Sequence, residues 1–316
     1  MTASTHLTTR PATRPKTGPR RASGHRETYW PYLLPMGIGF VVIVLVPRGA
    51  NVAISLFDWR GGAADMEWVG LGNYAELLQD ENFWMSFKNS LLMIVAIVVA
   101  PTILGLIIAS LLFNLIAPRY GSRIASFLRG SFYLPQILPI AVAGFIWSWV
   151  MNTDAGAVNS FLKAIGIENP PDWLGDPAIA IVTVMLMMVW LQIGYPLVIF
   201  MAALGRVDPS LYEAADLDGA SWFQQLRRIT IPEIRPEIFI VSLTATVAAL
   251  KVFAPILILT GGGPEGSTVV PSYYAYRNFF ELSQVGYGSA IATVMAAVIL
   301  VVALVMLWFQ RRTENA

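Results

Sequence analysis

Residues 213–232 read EAADLDGASWFQQLRRITIP. Five charged side chains, Glu213, Asp216, Asp218, Arg227 and Arg228, fall here between two long apolar segments, 178–203 and 237–259. Local chemistry predicts two short helices. Asp208 followed by Pro209 has the form of an N-cap with proline at the first helical position, where its missing N–H leaves no bond unmade. Leu211, Ala214 and Ala215 then share one face at i, i+3, i+4 spacing, and Asp218-Gly219 is a turn pair. Ser221 and Gln224 fit a capping box, and Trp222, Leu226 and Ile229 repeat at i, i+4, i+7 until Pro232 and Pro236 halt the pattern. The product is a polar hairpin around Gly219 whose two helices each carry one apolar face.

The rest of the chain is lipid-soluble. Of its 316 residues 56% are hydrophobic and 13% charged, against roughly a quarter charged in soluble domains, so most of the surface faces something other than water. A net charge of +1 argues against nucleic acid as a partner, since that binding needs a concentrated basic face. There is no cysteine, and the two histidines, His6 and His25, lie in a polar N-terminal stretch; thiolate chemistry is excluded and a histidine metal site is not expected.

Six segments are long and apolar enough to cross a hydrocarbon core of about 30 Å, which takes about 20 helical residues. They are 32–57, 87–115, 131–151, 178–203, 237–259 and 287–309. Arg48 interrupts the first, near enough to its end to snorkel. Tyr29 and Trp30, Phe57 and Trp59, and Phe83 and Trp84 mark segment edges as interfacial aromatics do. Residues 1–29, rich in Thr, Arg and Pro, have too little apolar surface to order and are expected to be a disordered tail. No small-residue cleavage site follows Arg20-Arg21, so no cleaved export signal is expected.

Orientation follows from the basic residues. The segments 1–29, 116–130, 204–236 and 310–316 carry 6, 3, 4 and 2 Lys or Arg, and the alternate loops only Arg60, Lys163 and Arg277. Both termini and the hairpin are therefore expected on the cytoplasmic side. Pro101, Pro135, Pro139, Pro196 and Pro255 lie deep in the predicted spans, where each removes a donor and calls for a kink or a break. Freed backbone groups at that depth must be buried in protein or line a solute path, and prolines alone do not separate those two readings.

A cytosolic hairpin with apolar faces needs a surface to lie on. The bilayer surface is one candidate, and the Arg pair would favour it. DNA is a poor one, because four carboxylates and two arginines between 213 and 233 would repel phosphate. Docking to a protein fits best.

The order Glu213-Ala214-Ala215, Gly219 four residues on, then Ile229-x-Ile231-Pro232 resembles the EAA loop of permease subunits in binding-protein-dependent ABC importers, with Ile231 where that family usually has Leu. Further stretches are similar to the carbohydrate-importing branch, in particular the larger permease subunit of the maltose importer. They are Ser55-Leu56-Phe57-Asp58-Trp59, Gly70-Leu71-Gly72-Asn73-Tyr74, Leu134-Pro135, Gly194-Tyr195-Pro196 and Leu259-Thr260-Gly261-Gly262-Gly263-Pro264. The likeness spans residues 30–310 and implies an all-α membrane protein: six transmembrane helices of the type I ABC importer permease fold in a permease domain 30–310, cytoplasmic EAA coupling helices within 208–235, and a short tail 311–316. It implies a bacterial cytoplasmic membrane and a heterodimer with a second permease. It also implies two copies of a cytoplasmic ATPase and an extracellular or lipid-anchored sugar-binding protein. No G-x-x-x-x-G-K-[ST] loop is present, so ATP and Mg belong to the ATPase partners, and this chain is not expected to be an enzyme. The spans offer neither paired carboxylates nor a Ser-His arrangement.

The resemblance assigns the ATPase-coupling role to Leu211, Glu213, Ala214, Ala215, Asp218, Gly219 and Ala220. Glu213 would meet a basic group on the ATPase, Gly219 would make the turn, and Leu211, Ala214 and Ala215 would form the docking face. For the substrate, a neutral polyol calls for hydrogen-bonding side chains beside an aromatic face. Gln136, Trp190, Gln192, Tyr195, Lys251 and Phe253 are the candidates within the spans. Alignment through the shared motifs sets Gln136, Trp190, Ile193, Gly194, Leu197, Ala249 and Val252 at the sugar-facing places of the maltose importer; several are apolar here where that importer is polar. Each has a plainer reading. A membrane Trp packs against lipid or protein, a Gln can tie helices together, and Lys251, expensive at mid-span, needs a cavity or a partner of either kind. A permease for a different solute, such as a glycerophosphodiester, is the alternative, and it would want more basic residues than Lys251 along its path.

Overall fold

The computed structural model describes residues 30–314; the expected N-terminal tail and the last two residues lie outside the described residues. The chain divides into two units, 1–48 and 49–316. In the first, the described residues form a helix from Trp30 whose apolar side chains, Tyr32, Met36 and Ile43 among them, are exposed.

Among the described residues of the second unit, helices and connecting loops are accompanied by one two-residue antiparallel pair, Phe57–Asp58 with Glu67–Trp68, in which Phe57 faces Trp68 edge to face. Among the described residues of the whole chain, four helices are long and apolar enough to cross a membrane: Tyr32–Ile54, Glu81–Tyr120, Ala180–Leu204 and Val285–Arg312. Five result if Ser122–Ile137 and Ile140–Val150, bent by 97°, count as one. The predicted span 131–151 straddles that bend. Its cause is Pro139, which forces the preceding Leu138 into an extended conformation with ψ of 134°. The predicted span 237–259 is likewise two pieces, Arg235–Leu250 and Ala254–Leu259, parted by Lys251, Val252 and Phe253. There Pro255 would drive its ring into the carbonyl of Lys251, so the first helix stops.

Other prolines are absorbed without a break. Val46, Ala100, Ala117 and Ile231 each donate to the carbonyl five residues back, and each stands immediately before a proline: Pro47, Pro101, Pro118 and Pro232. Widening the turn by one residue moves the offending carbonyl away from the ring, and the helix resumes. Pro232 therefore does not halt the hairpin's second helix as its position suggests; helical structure continues to Glu233.

Three apolar clusters hold the second unit together, the smallest of them Leu77, Phe83, Tyr287 and Ile291. Of the two larger ones, one gathers Met93, Val184, Met187, Ile256 and Val270 and the other Leu112, Leu197, Phe200, Leu204 and Val241. Helices meet closely where a side chain is missing. A Cβ on Gly105 would lie 3.0 Å from the Leu197 nitrogen and from Pro196, and one on Gly144 would lie 2.6 Å from Ile258.

The motifs that carried the resemblance also fold onto one another. The buried Asn73 amide donates to the carbonyls of Ser55 and Phe57 at 2.8 and 2.9 Å, joining the two motifs that lie between the helices Tyr32–Ile54 and Glu81–Tyr120. Asn89 donates at 2.9 Å to the carbonyls of Ser267 and Val269, pinning the loop after the glycine-rich stretch. From the helix Pro271–Tyr276 that follows, Tyr273 donates back to the Gly261 carbonyl at 2.7 Å. Asp80 caps the helix Glu81–Tyr120 by accepting from the Asn82 amide, and its other oxygen accepts from the hydroxyls of Tyr274 and Tyr287, both at 2.6 Å.

Candidate functional site

The hairpin forms as its capping residues dictate. Asp208 Oδ1 accepts from the Ser210 amide at 2.9 Å, and this bond, with the Ser210 side chain, holds the Asp208 carboxyl below the usual carboxylate range. The helix Pro209–Leu217 ends at Gly219, whose φ of +71° lies in the left-handed region that glycine adopts without strain. The Gly219 amide donates to Asp216 and that of Ala220 to Ala215, the two bonds of a Schellman motif. Ser221 then opens the next helix with a complete capping box to Gln224.

A second set of bonds ties the hairpin to its neighbours. Gln225 donates to Asp216 Oδ1 at 2.6 Å across the turn, Tyr212 and Thr230 share a 3.0 Å hydroxyl bond, and the Trp222 indole donates to Ser110 on the helix Glu81–Tyr120. Leu211, Glu213, Ala214, Asp218 and Gly219 are exposed, and Ala215 and Ala220 half-buried. Glu213 and Asp216 face a groove of about 540 Å³ between the hairpin and the end of that helix, beside Phe113, Tyr212 and Trp222. Ala215, Asp218, Gly219 and Ala220 line a second hollow of about 360 Å³ with Arg228. The hairpin thus presents side chains on both flanks while its turn is fixed internally.

The second candidate site is a cavity of about 200 Å³ where five helical stretches meet. Its polar lining is Gln136, Gln192 and Tyr195, three residues singled out from the sequence, together with Thr102 and Thr244. Gln136 Oε1 is buried and has no hydrogen-bond partner. Tyr195 and Thr244 hydroxyls stand 3.5 Å apart. No charged side chain lines this cavity.

The other proposed path residues are spread more widely. Trp190 is half-buried with its ring 6.0 Å from that of Trp147. Ile193 is half-buried at the step between two helical stretches. Gly194 is buried where a Cβ would lie 2.8 Å from Tyr133 Cα. Leu197, Ala249 and Val252 are buried in the apolar clusters. Lys251 is exposed in the break after Leu250, continuing the exposed face of Thr244 and Ala248. Phe253 packs on Tyr273 and Tyr276. Sequence reasoning missed Thr102 and Thr244, for which nothing local gives a signal, and the Asp80–Tyr274–Tyr287 tie, whose partners lie far apart in the chain.

Residues 115–315 match the family described as binding-protein-dependent transport system inner membrane component. A probable ABC transporter permease protein of Bacillus subtilis, YurN, is 33% identical over 281 residues, 88% of this chain and 95% of the relative. A diacetylchitobiose uptake system permease of Streptomyces coelicolor is 34% identical, covering 93% of this chain and 85% of its own length. A trehalose/maltose transport system permease of Thermococcus litoralis is 31% identical over 87% of this chain and 92% of the relative. Among solved structures, a chain of a bacterial ABC transporter that imports the acidic polysaccharide alginate superposes with a TM-score of 0.76 at 25% identity, covering 90% of this chain and 94% of that one. Family match, relatives and fold agree, and the chain belongs to the binding-protein-dependent transport system inner membrane components, the multi-pass permeases of ABC importers.

Proposed function

We propose that this chain forms half of the translocation path of an ATP-driven sugar importer working by alternating access, with a di- or oligosaccharide as cargo. The path would run between this chain and a second permease. The hairpin within 208–235 would seat in one of two ATPase subunits, which hold ATP and Mg, and an external binding protein would deliver the sugar. Six spans result when Ser122–Ile137 with Ile140–Val150, and Arg235–Leu250 with Ala254–Leu259, each count as one broken crossing. Basic residues concentrated in alternate segments support both termini and the hairpin being cytoplasmic.

The observation that carries the sugar reading is the uncharged polar cavity lined by Gln136, Gln192 and Tyr195. Amides and hydroxyls at the depth of apolar helices are costly unless they meet partners, and a neutral polyol supplies many. With no lysine or arginine in that lining, a phosphodiester finds no counter-charge there. At about 200 Å³ the cavity is smaller than the ~300–1,000 Å³ usual for small-molecule sites, as expected if a second permease supplies the facing wall. Relatives named for diacetylchitobiose and trehalose/maltose support the same class.

Radiolabelled uptake by the reconstituted complex, across a panel of mono-, di- and oligosaccharides, tests the class. Gln136→Ala and Gln192→Ala should each raise the half-saturating sugar concentration several-fold while the complex still assembles. Uptake unchanged in both would remove the cavity from the path.

A further inference from the structure

We infer that the helix Glu81–Tyr120 supplies sugar contacts of its own, through the hydroxyl of Thr102 and the carbonyl of Ile97, with Thr244 opposite. The inference rests on the cavity being part of the sugar path, and it adds a helix from which the sequence offered no candidate. Ile97 and Thr102 both line the cavity, on the same wall as each other. Between them the helix is not regular. Residues 95–99 form a wide turn closed by the Ala100 amide on the Val95 carbonyl, and the next residue is Pro101.

Proline has no N–H, so the Ile97 carbonyl lacks the donor that a regular helix would provide four residues on. Backbone groups freed this way persist among apolar helices only where protein or a polar path satisfies them. Ile97 lines the cavity together with Gln136, whose buried Oε1 has no hydrogen-bond partner. Were the Ile97 carbonyl and the Gln136 side chain to turn their acceptors to this space, they would call for a ligand rich in donors, and adjacent sugar hydroxyls are such donors. Thr102, able to donate or accept, and Thr244, whose proton goes to the Ile240 and Val241 carbonyls and leaves its oxygen to accept, would then distinguish hydroxyl positions on the ring.

Thr102→Val keeps the shape and removes the hydroxyl; Thr102→Ser keeps the hydroxyl and removes the methyl. With the complete importer in proteoliposomes and the best-transported saccharide of the uptake panel, Thr102→Val should raise the half-saturating concentration about tenfold, the worth of one hydrogen bond. Thr102→Ser should stay near wild type. Pro101→Ala, which gives the Ile97 carbonyl its missing N–H, should also weaken half-saturation. Wild-type uptake in Thr102→Val, or equal loss in Val and Ser variants, would overturn the role of Thr102, and wild-type uptake in Pro101→Ala would overturn that of the carbonyl. If Gln136→Ala still weakens uptake in that case, this inference alone fails; if Gln136→Ala and Gln192→Ala are silent too, the whole path reading fails with it.

Discussion

Asp80 does at one residue what a short loop cannot do by itself: it ties the start of its own helix to two distant parts of the chain. One oxygen caps its own helix and the other accepts from Tyr274 and Tyr287. Partial burial alone would push the carboxyl up, but the Tyr274 and Tyr287 hydroxyls and the amides of Asn82 and Phe83 outweigh it, and the net shift is downward. Tyr274, buried beside that carboxylate, is pushed up to about 12. A carboxyl whose folded value lies below its ordinary 3.8 contributes stability that is present above that value and lost as pH falls through the folded one. The melting temperature of the purified complex should therefore show no Asp80-dependent change between neutral pH and about pH 5, and should fall below about pH 4. Asp80→Asn should start lower at neutral pH and lose less on acidification. Equal acid sensitivity in the two proteins would show that Asp80 is not the group responsible. The tie is invisible in sequence because an aspartate before a helix reads only as a cap; the two tyrosines arrive through the tertiary fold.

Helices and their joins follow the prolines, and here the sequence is legible in part. Pro139 and Pro255 break the chain as their chemistry demands, whereas Pro101, Pro118 and Pro232 are absorbed by turns one residue wider. Which outcome a proline produces depends on whether neighbouring helices hold the segment straight, and that information is not local. The glycines behave similarly. Gly194 stands in a motif that pointed toward the sugar path, yet its missing side chain is also required by contact. A Cβ there would lie 2.8 Å from Tyr133 Cα and 2.9 Å from the Phe132 carbonyl, both backbone atoms that cannot rotate away. Gly194→Ala should thus part the helices Ser122–Ile137 and Gly194–Leu204 and lower stability by about 1–3 kcal/mol, the usual penalty of overpacking. Thermal unfolding in detergent measures it. An alanine variant as stable as wild type would mean the helices are free to separate, and the glycine would then need a reason other than packing.

At the scale of the molecule, the two candidate sites have unequal legibility because they are built differently. Asp208, Gly219, Ser221 and Gln224 act within a few residues of one another, so caps and periodicity announce the hairpin before any fold is known. The cavity draws Thr102, Gln136, Gln192, Tyr195 and Thr244 from helices separated by long stretches of chain, and only the amides and the tyrosine stand out in an apolar sequence. Coupling between the two would need the hairpin to move as a rigid lever, and its internal bonds from Gln225 to Asp216 and from Ala220 to Ala215 give it that stiffness. Gly219 is the place to test this. A Cβ there meets no atom within 4 Å, so a larger residue is opposed only by the left-handed backbone, at a cost of about 1–2 kcal/mol. That is too little to unfold the protein and enough to reshape the turn. Gly219→Val should therefore leave assembly of the importer intact while sugar-stimulated ATP hydrolysis and uptake fall together, by about tenfold if the turn's strain is spent on the seated state. Gly219→Asn, which tolerates the same conformation, should recover most of both. If Gly219→Val assembles, hydrolyses ATP and transports at wild-type rates, the hairpin is not the element through which the ATPases drive this permease.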